Sequence, residues 1–149
     1  MSLSDKIAEE MKTAMRAKDK KRLEALRAIK SAIMLAQTEK AKGSELTEEE
    51  ELKILQRLQK QRKDSLEIYE KQDREDLAAD ERDQLAVIED FLPKQMTEQE
   101  LEAYLKELIV RLDVQGPKDM GKLMGTASKE LAGKADGKTI SAKVKEILK

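Results

Sequence analysis

The chemically most suggestive stretch is Lys118–Lys149, KDMGKLMGTASKELAGKADGKTISAKVKEILK. It holds eight Lys against four Asp or Glu, and four of the chain's six glycines: Gly121, Gly125, Gly133 and Gly137. Clustered ammonium groups are ligands for a polyanion. Gly121 and Gly125 sit four apart inside a helical pattern, where each glycine costs about 1 kcal/mol relative to alanine. Two such glycines imply a reason, either close packing of helices or close approach of a ligand to the backbone.

Other chemistry is narrowed by what is missing. The 149 residues contain no cysteine and no histidine. That removes thiol nucleophiles, disulfides, imidazole bases and the usual metal ligands. Gly121-Lys-Leu-Met-Gly125 lacks the Gly-Lys-Ser/Thr ending of a phosphate-binding loop. Ser31 follows Lys30 and Ser128 precedes Lys129, but adjacent helical residues point to different sides, so neither pair makes a Ser–Lys nucleophile. Paired carboxylates are so common in the middle of the chain that none stands out. These residues argue against catalysis by the chain alone, and they call for no cofactor. The N-terminus lacks the apolar core of a signal peptide, and no run of 18 apolar residues exists. The expectation is a soluble, cytoplasmic protein without a membrane role.

The net charge of −1 conceals segregation. Residues 1–42 carry 11 basic and 6 acidic side chains, residues 43–116 carry 11 and 21, and residues 117–149 carry 8 and 4. Basic ends suit a polyanion partner; solvated helix faces with ordinary i,i+4 pairs are the competing explanation. The acidic middle, net −10, instead suits a protein–protein adaptor.

The elements that must position these residues are all helical. Charged residues make up 41% and aromatics 2% (Tyr69, Phe91 and Tyr104), a composition of long helices. Ser4 is expected to cap a first helix from Asp5 to Ala17, with Ile7, Met11, Ala14 and Met15 on one face. Asp19 caps a second, to about Lys42, with Leu23, Leu26, Ile29, Ile33 and Ala36 as its stripe and Gly43 as its C-cap. Thr47 and Glu50 form a capping box for a third helix. Its stripe, Leu52, Leu55, Leu58, Leu66 and Tyr69, includes Arg62, which either pairs across helices or serves a site. A fourth helix spans Leu77 to Phe91 and ends at Pro93. Thr97 and Glu100 open a fifth, to Leu112. Pro117 begins a sixth, from Lys118 to Leu131, stopped by Gly133, and a last helix follows the Asp136–Gly137 turn. The methionines 11, 15, 34, 120 and 124 lie on apolar faces as core filler. The fold class is therefore all-α. A four-helix N-terminal domain, 1–96, precedes a three-helix C-terminal domain, 97–149, with Pro93–Met96 as the joint.

Several fragments in order carry a resemblance. They are AMRAKDKKRLEALRAIKSAI, KQRKDSLEIYEKQDREDLA, FLPKQMTEQEL, DMGKLMG and GKADGK. Together they span nearly the whole chain, which resembles the GatB/YqeY family and more closely its stand-alone YqeY-like members. The resemblance implies a helical N-terminal domain and a small orthogonal three-helix domain. The latter is similar to the C-terminal tail of the B subunit of the aspartyl/glutamyl-tRNA amidotransferase. That enzyme is a carbon–nitrogen ligase with glutamine as amido-N donor, and its tail helps to hold the tRNA. The kinase-like cradle and the glutaminase domain have no counterpart here, so the tail carries over and the chemistry does not. The implied partners are tRNA and an aminoacylation or amidotransferase component. The implied contact residues are Lys118, Gly121, Lys122, Gly125, Lys129, Lys134, Lys138 and Lys143, with Lys145. Lysine contacts position a backbone without reading bases. With no aromatic in the basic tail, recognition of folded RNA by shape is expected rather than stacking.

Overall fold

In the computed structural model, which describes residues 1–41 and 43–148, seven α-helices and no strand occur among the described residues. They are α1 (Leu3–Arg16), α2 (Lys20–Glu39), α3 (Glu48–Lys71), α4 (Glu75–Asp90), α5 (Glu98–Arg111), α6 (Met120–Glu130) and α7 (Gly137–Ile147), with a short 3-10 turn at Pro117–Asp119. No helix among the described residues is long and apolar enough to cross a membrane.

Local signals explain most of the boundaries. Asp19, Thr47, Thr97 and Asp136 each accept the backbone N–H of the residue three positions on, satisfying one orphan donor of the first turn. Thr97 and Glu100 form the full reciprocal box. The Glu50 carboxylate instead reaches Lys40 at 2.8 Å. The first helix starts earlier than Ser4 suggests. Ser2 is the cap, and Asp5 closes a capping box with it, which leaves Leu3 buried and helical. The expected end of the second helix at Lys42 lies outside the described residues. α2 stops at Glu39, and Gly43 takes its left-handed φ of 87° in the loop beyond.

Three helix ends carry no glycine at all. Lys18, Asp73 and Asp113 adopt φ values of 57°, 56° and 52°. Each is followed by a residue whose N–H reaches five positions back: Asp19 to Ala14, Arg74 to Tyr69 and Val114 to Ile109, at 2.9–3.0 Å. These are Schellman ends, in which the left-handed residue lets two orphan carbonyls be satisfied. Asp tolerates that conformation; Lys at position 18 costs about 1 kcal/mol there.

The chain forms two compact units, Met1–Leu92 and Pro93–Lys149. In the first, α1, α2 and α4 pack around Leu3, Ile7, Ala14, Leu26, Ile29, Ile33, Val87 and Ile88, with Leu55 of α3 joining them. Arg22 binds Glu10 and Asp90, each at 3.0 Å, which ties α1 and α4 to α2. Arg62 pairs with Glu81 at 3.1 Å across α3 and α4, so the basic residue within the apolar stripe is an interhelical ion pair. Met15 and Met34 are more than half exposed, at 59% and 55%. These two are surface residues, unlike Met11, Met120 and Met124, which do pack against the cores.

In the second unit, Leu101, Leu105 and Leu108 of α5 meet Leu123 and Ala127 of α6, Leu131, and Ile140 and Val144 of α7. The segment before α5 is fastened to the α6–α7 turn. Met96 donates its N–H to the Lys134 carbonyl at 3.0 Å, and the Gln95 side-chain amide reaches the Gly133 carbonyl at 2.6 Å. Gly133 itself has φ 81°, a conformation that side chains other than Asn and Asp rarely adopt.

Candidate nucleic-acid interface

The apolar residues of α6 determine what its other face presents. Leu123, Ala127 and Leu131 are buried, with Met120 and Met124 packed beside them. Lys118, Gly121, Lys122, Gly125 and Lys129 recur at three- and four-residue spacing away from that seam, so they share the outward face. All five are exposed. None of the three lysines forms an ion pair among the described residues.

The two glycines need no space. A Cβ built on Gly121 or on Gly125 meets no atom within 4 Å. Helix packing is thereby excluded as the reason for them. What remains is the bare backbone they expose, a strip of helix surface without side chains flanked by lysines. A sugar-phosphate chain can approach such a strip more closely than one covered by side chains. Gly125→Ala is expected to stabilise the protein by about 1 kcal/mol, because no clash opposes the gain in helix propensity. Thermal denaturation would check this, and a fall in midpoint would reveal a neighbour the structure does not contain.

The remaining candidate lysines divide. Lys134 is exposed at the α6–α7 turn, and Lys138 and Lys145 are exposed on α7. Lys143 is the exception. It is 6% exposed, its stem lies along the core, and its Nζ is 2.9 Å from Glu98 and 3.4 Å from Glu146. Its ammonium is committed to carboxylates and is not offered to a phosphate. The sequence carried a signal for this, since position 143 falls beside Ile140, Val144 and Ile147 on the apolar face of α7.

The Lys143 pair has a pH signature. The bond to Lys143 holds the Glu98 carboxyl below the usual glutamate range, and the bond to Glu98 raises the Lys143 ammonium. The Glu98 contribution is therefore present above the ordinary glutamate pKa and is lost as pH falls through the lowered folded value. The Lys143 contribution is complete below the ordinary lysine value and is lost as pH rises through the raised one. Glu98→Gln is expected to melt lower than wild type near neutrality, with the gap narrowing below about pH 4. Calorimetry across that range checks it. A gap that persists at low pH would assign the effect to packing.

A second cluster borders the interface. Arg111 grips Glu130 with two N–H groups at 2.8 and 3.1 Å, and the Tyr104 hydroxyl donates to the same carboxylate. Arg111 and then Tyr104 lower the Glu130 carboxyl. Burial, followed by the hydrogen bond to Glu130, pushes the Tyr104 phenol up to about 12. Sequence reasoning passed over Tyr104, because it lies on α5, outside the basic tail. Among the described residues no group of Asp or Glu is arranged to hold a metal ion.

One relative is Altered inheritance of mitochondria protein 41, mitochondrial, of Pyrenophora tritici-repentis strain Pt-1C-BFP. It is 29% identical over 142 residues, covering 93% of this chain and 77% of that protein. The profile of the family described as Yqey-like protein matches residues 4–148, nearly the full length, and the chain therefore belongs to the YqeY-like family.

Proposed function

We propose that the protein is a tRNA-binding accessory factor related to the glutamine-dependent tRNA amidotransferase, with α5–α7 as an RNA-holding domain and no catalysis of its own. The observation that carries this reading is the outward face of α6. There Lys122 and Lys129, with Lys118 of the 3-10 turn just before the helix, surround two glycines that packing does not require. A phosphate backbone accounts for both features at once: the lysines supply charge and the glycines supply approach. Family membership supports it through the likeness of YqeY-like proteins to the amidotransferase tail.

The test is an electrophoretic mobility shift with bulk tRNA at 50 and 200 mM salt. A shift at micromolar protein in low salt that weakens steeply at the higher salt is expected. No shift at low salt would overturn the reading.

A second reading, a helical protein–protein adaptor, has its own observation. A groove of about 230 Å3 between α2 and α3 has Leu35, Ile54 and Leu58 in its lining together with Glu39, Arg57 and Gln61. Leu35 beside it is 63% exposed. A stable partner recovered after nuclease treatment, and lost in Leu35→Glu, would favour that reading.

A further inference from the structure

A cleft of about 500 Å3 opens beside the α6–α7 turn, within the second unit. Four pieces of chain build it. Lys94, Gln95 and Met96 come from the segment before α5. Tyr104 comes from α5, Leu131 from the end of α6, and Lys134 from the turn. The volume lies within the range of small-ligand sites. Its walls are fixed in advance. Gln95 and Met96 are hydrogen-bonded to the backbone of Gly133 and Lys134. The Tyr104 hydroxyl is held by Glu130, which Arg111 grips in turn.

The composition of the cleft is that of a site for one nucleotide. Met96, Leu131 and the half-buried Tyr104 ring offer apolar and aromatic surface. Lys94 and Lys134 are exposed at its edge and form no ion pair among the described residues. Two carboxylates also line it, and both are already engaged. Glu130 sits in the Arg111 fork, and Glu100 accepts the Thr97 N–H at 3.0 Å. Beyond the Thr97 bonds, Lys94 lies close enough to Glu100 to help lower its carboxyl, and Lys134 adds a second cation at the edge of the cleft.

We propose that this cleft takes one unpaired nucleotide of an RNA, the base against the Tyr104 ring and the phosphate on Lys94 and Lys134. The inference rests on the RNA-holding reading and adds to it a contact that the lysines of α6 cannot make. Stacking on an aromatic ring tolerates any base. The site would thus recognise that a nucleotide is unpaired rather than which nucleotide it is.

The test uses the full chain and a fluorescein-labelled tetra-adenylate, with bulk tRNA as a second probe. Fluorescence polarisation is expected to show Tyr104→Phe within about threefold of wild type and Tyr104→Leu about tenfold weaker, the usual worth of one stacked base. Lys94→Glu with Lys134→Glu, both at exposed positions, is expected to abolish tetra-adenylate binding while circular dichroism stays unchanged. The chain has no tryptophan, so Tyr104→Trp places a single indole in the cleft, and saturable quenching by unlabelled tetra-adenylate is expected. Wild-type affinity in Tyr104→Leu, or an indole indifferent to both probes in a folded protein, would overturn the proposal. The two readings separate cleanly. A tRNA shift with a silent indole removes the nucleotide cleft and leaves the α6 interface. Quenching by tetra-adenylate without any tRNA shift keeps the cleft and removes the tRNA reading.

Discussion

Leu105→Ala is expected to destabilise the second unit by about 3 kcal/mol. Leu105 is fully buried in the middle of α5, among Leu101, Leu108, Leu123, Ile140 and Val144. Truncation removes the transfer energy of its methyl-bearing end and leaves a void that the neighbouring leucines and isoleucine, held on three helices, can close only in part. The consequence is large because the unit is small. A chain segment of this length buries only about 60% of its unfolded surface, and its whole stability is on the order of 5 kcal/mol. Amide hydrogen exchange over α5, α6 and α7 is expected to accelerate by about two orders of magnitude, as a loss of that size requires. Exchange at wild-type rates in these helices would show that the core tolerates the void, and would refute this account of Leu105.

Reversing Lys118, Lys122 and Lys129 together to Glu is the change with the greatest expected effect on RNA. All three side chains are exposed, so folding should be unaffected. Each neutralised phosphate contributes roughly 0.7–0.9 to the slope of log K against log salt. Loss of three contacts should flatten that slope by about 2 to 3 and weaken tRNA binding at 50 mM salt by about a hundredfold or more. The informative control reverses Lys53, Lys60 and Lys71 on α3, which pair at i,i+4 with Glu49, Asp64 and Glu67. Both sets change the total charge equally. Because each α3 lysine is already paired with a carboxylate, the α6 set is expected to matter more. Equal losses from the two sets would trace binding to overall charge and not to the face of α6. Gly125→Ala adds a third comparison. It is expected to raise stability while weakening RNA binding, a combination that a purely structural glycine would not give.

How much of this was legible in the sequence depended on the range of the signal. Local signals read well. Asp19, Thr47 and Thr97 cap the helices they were expected to cap, because an N-cap involves only its own first turn. Local ambiguity also misled: Ser2 and Ser4 are both good caps, and the buried Leu3 together with Asp5 decides for Ser2. The Schellman ends at Lys18, Asp73 and Asp113 were invisible to a search for glycine, because the following segment and not the residue type imposes the left-handed turn. Met15 and Met34 read as core residues, yet they lie on parts of their helices that no other helix covers.

For the candidate site the division is sharper. The sequence by itself determined that this chain has no thiol or imidazole chemistry, that its elements are helices, and that its net positive charge lies toward the two ends. These are properties of residue type and of the 3.6-residue period, which need no knowledge of neighbours. Only the tertiary structure decided what each cation and glycine does. It buried Lys143 against Glu98, turned Gly121 and Gly125 toward open space, and set Tyr104 beside a turn 30 residues away that carries Lys134. The physical reason is common to all three. Periodicity says which residues share a face, but whether that face is covered, and by what, depends on helices brought together from distant parts of the chain.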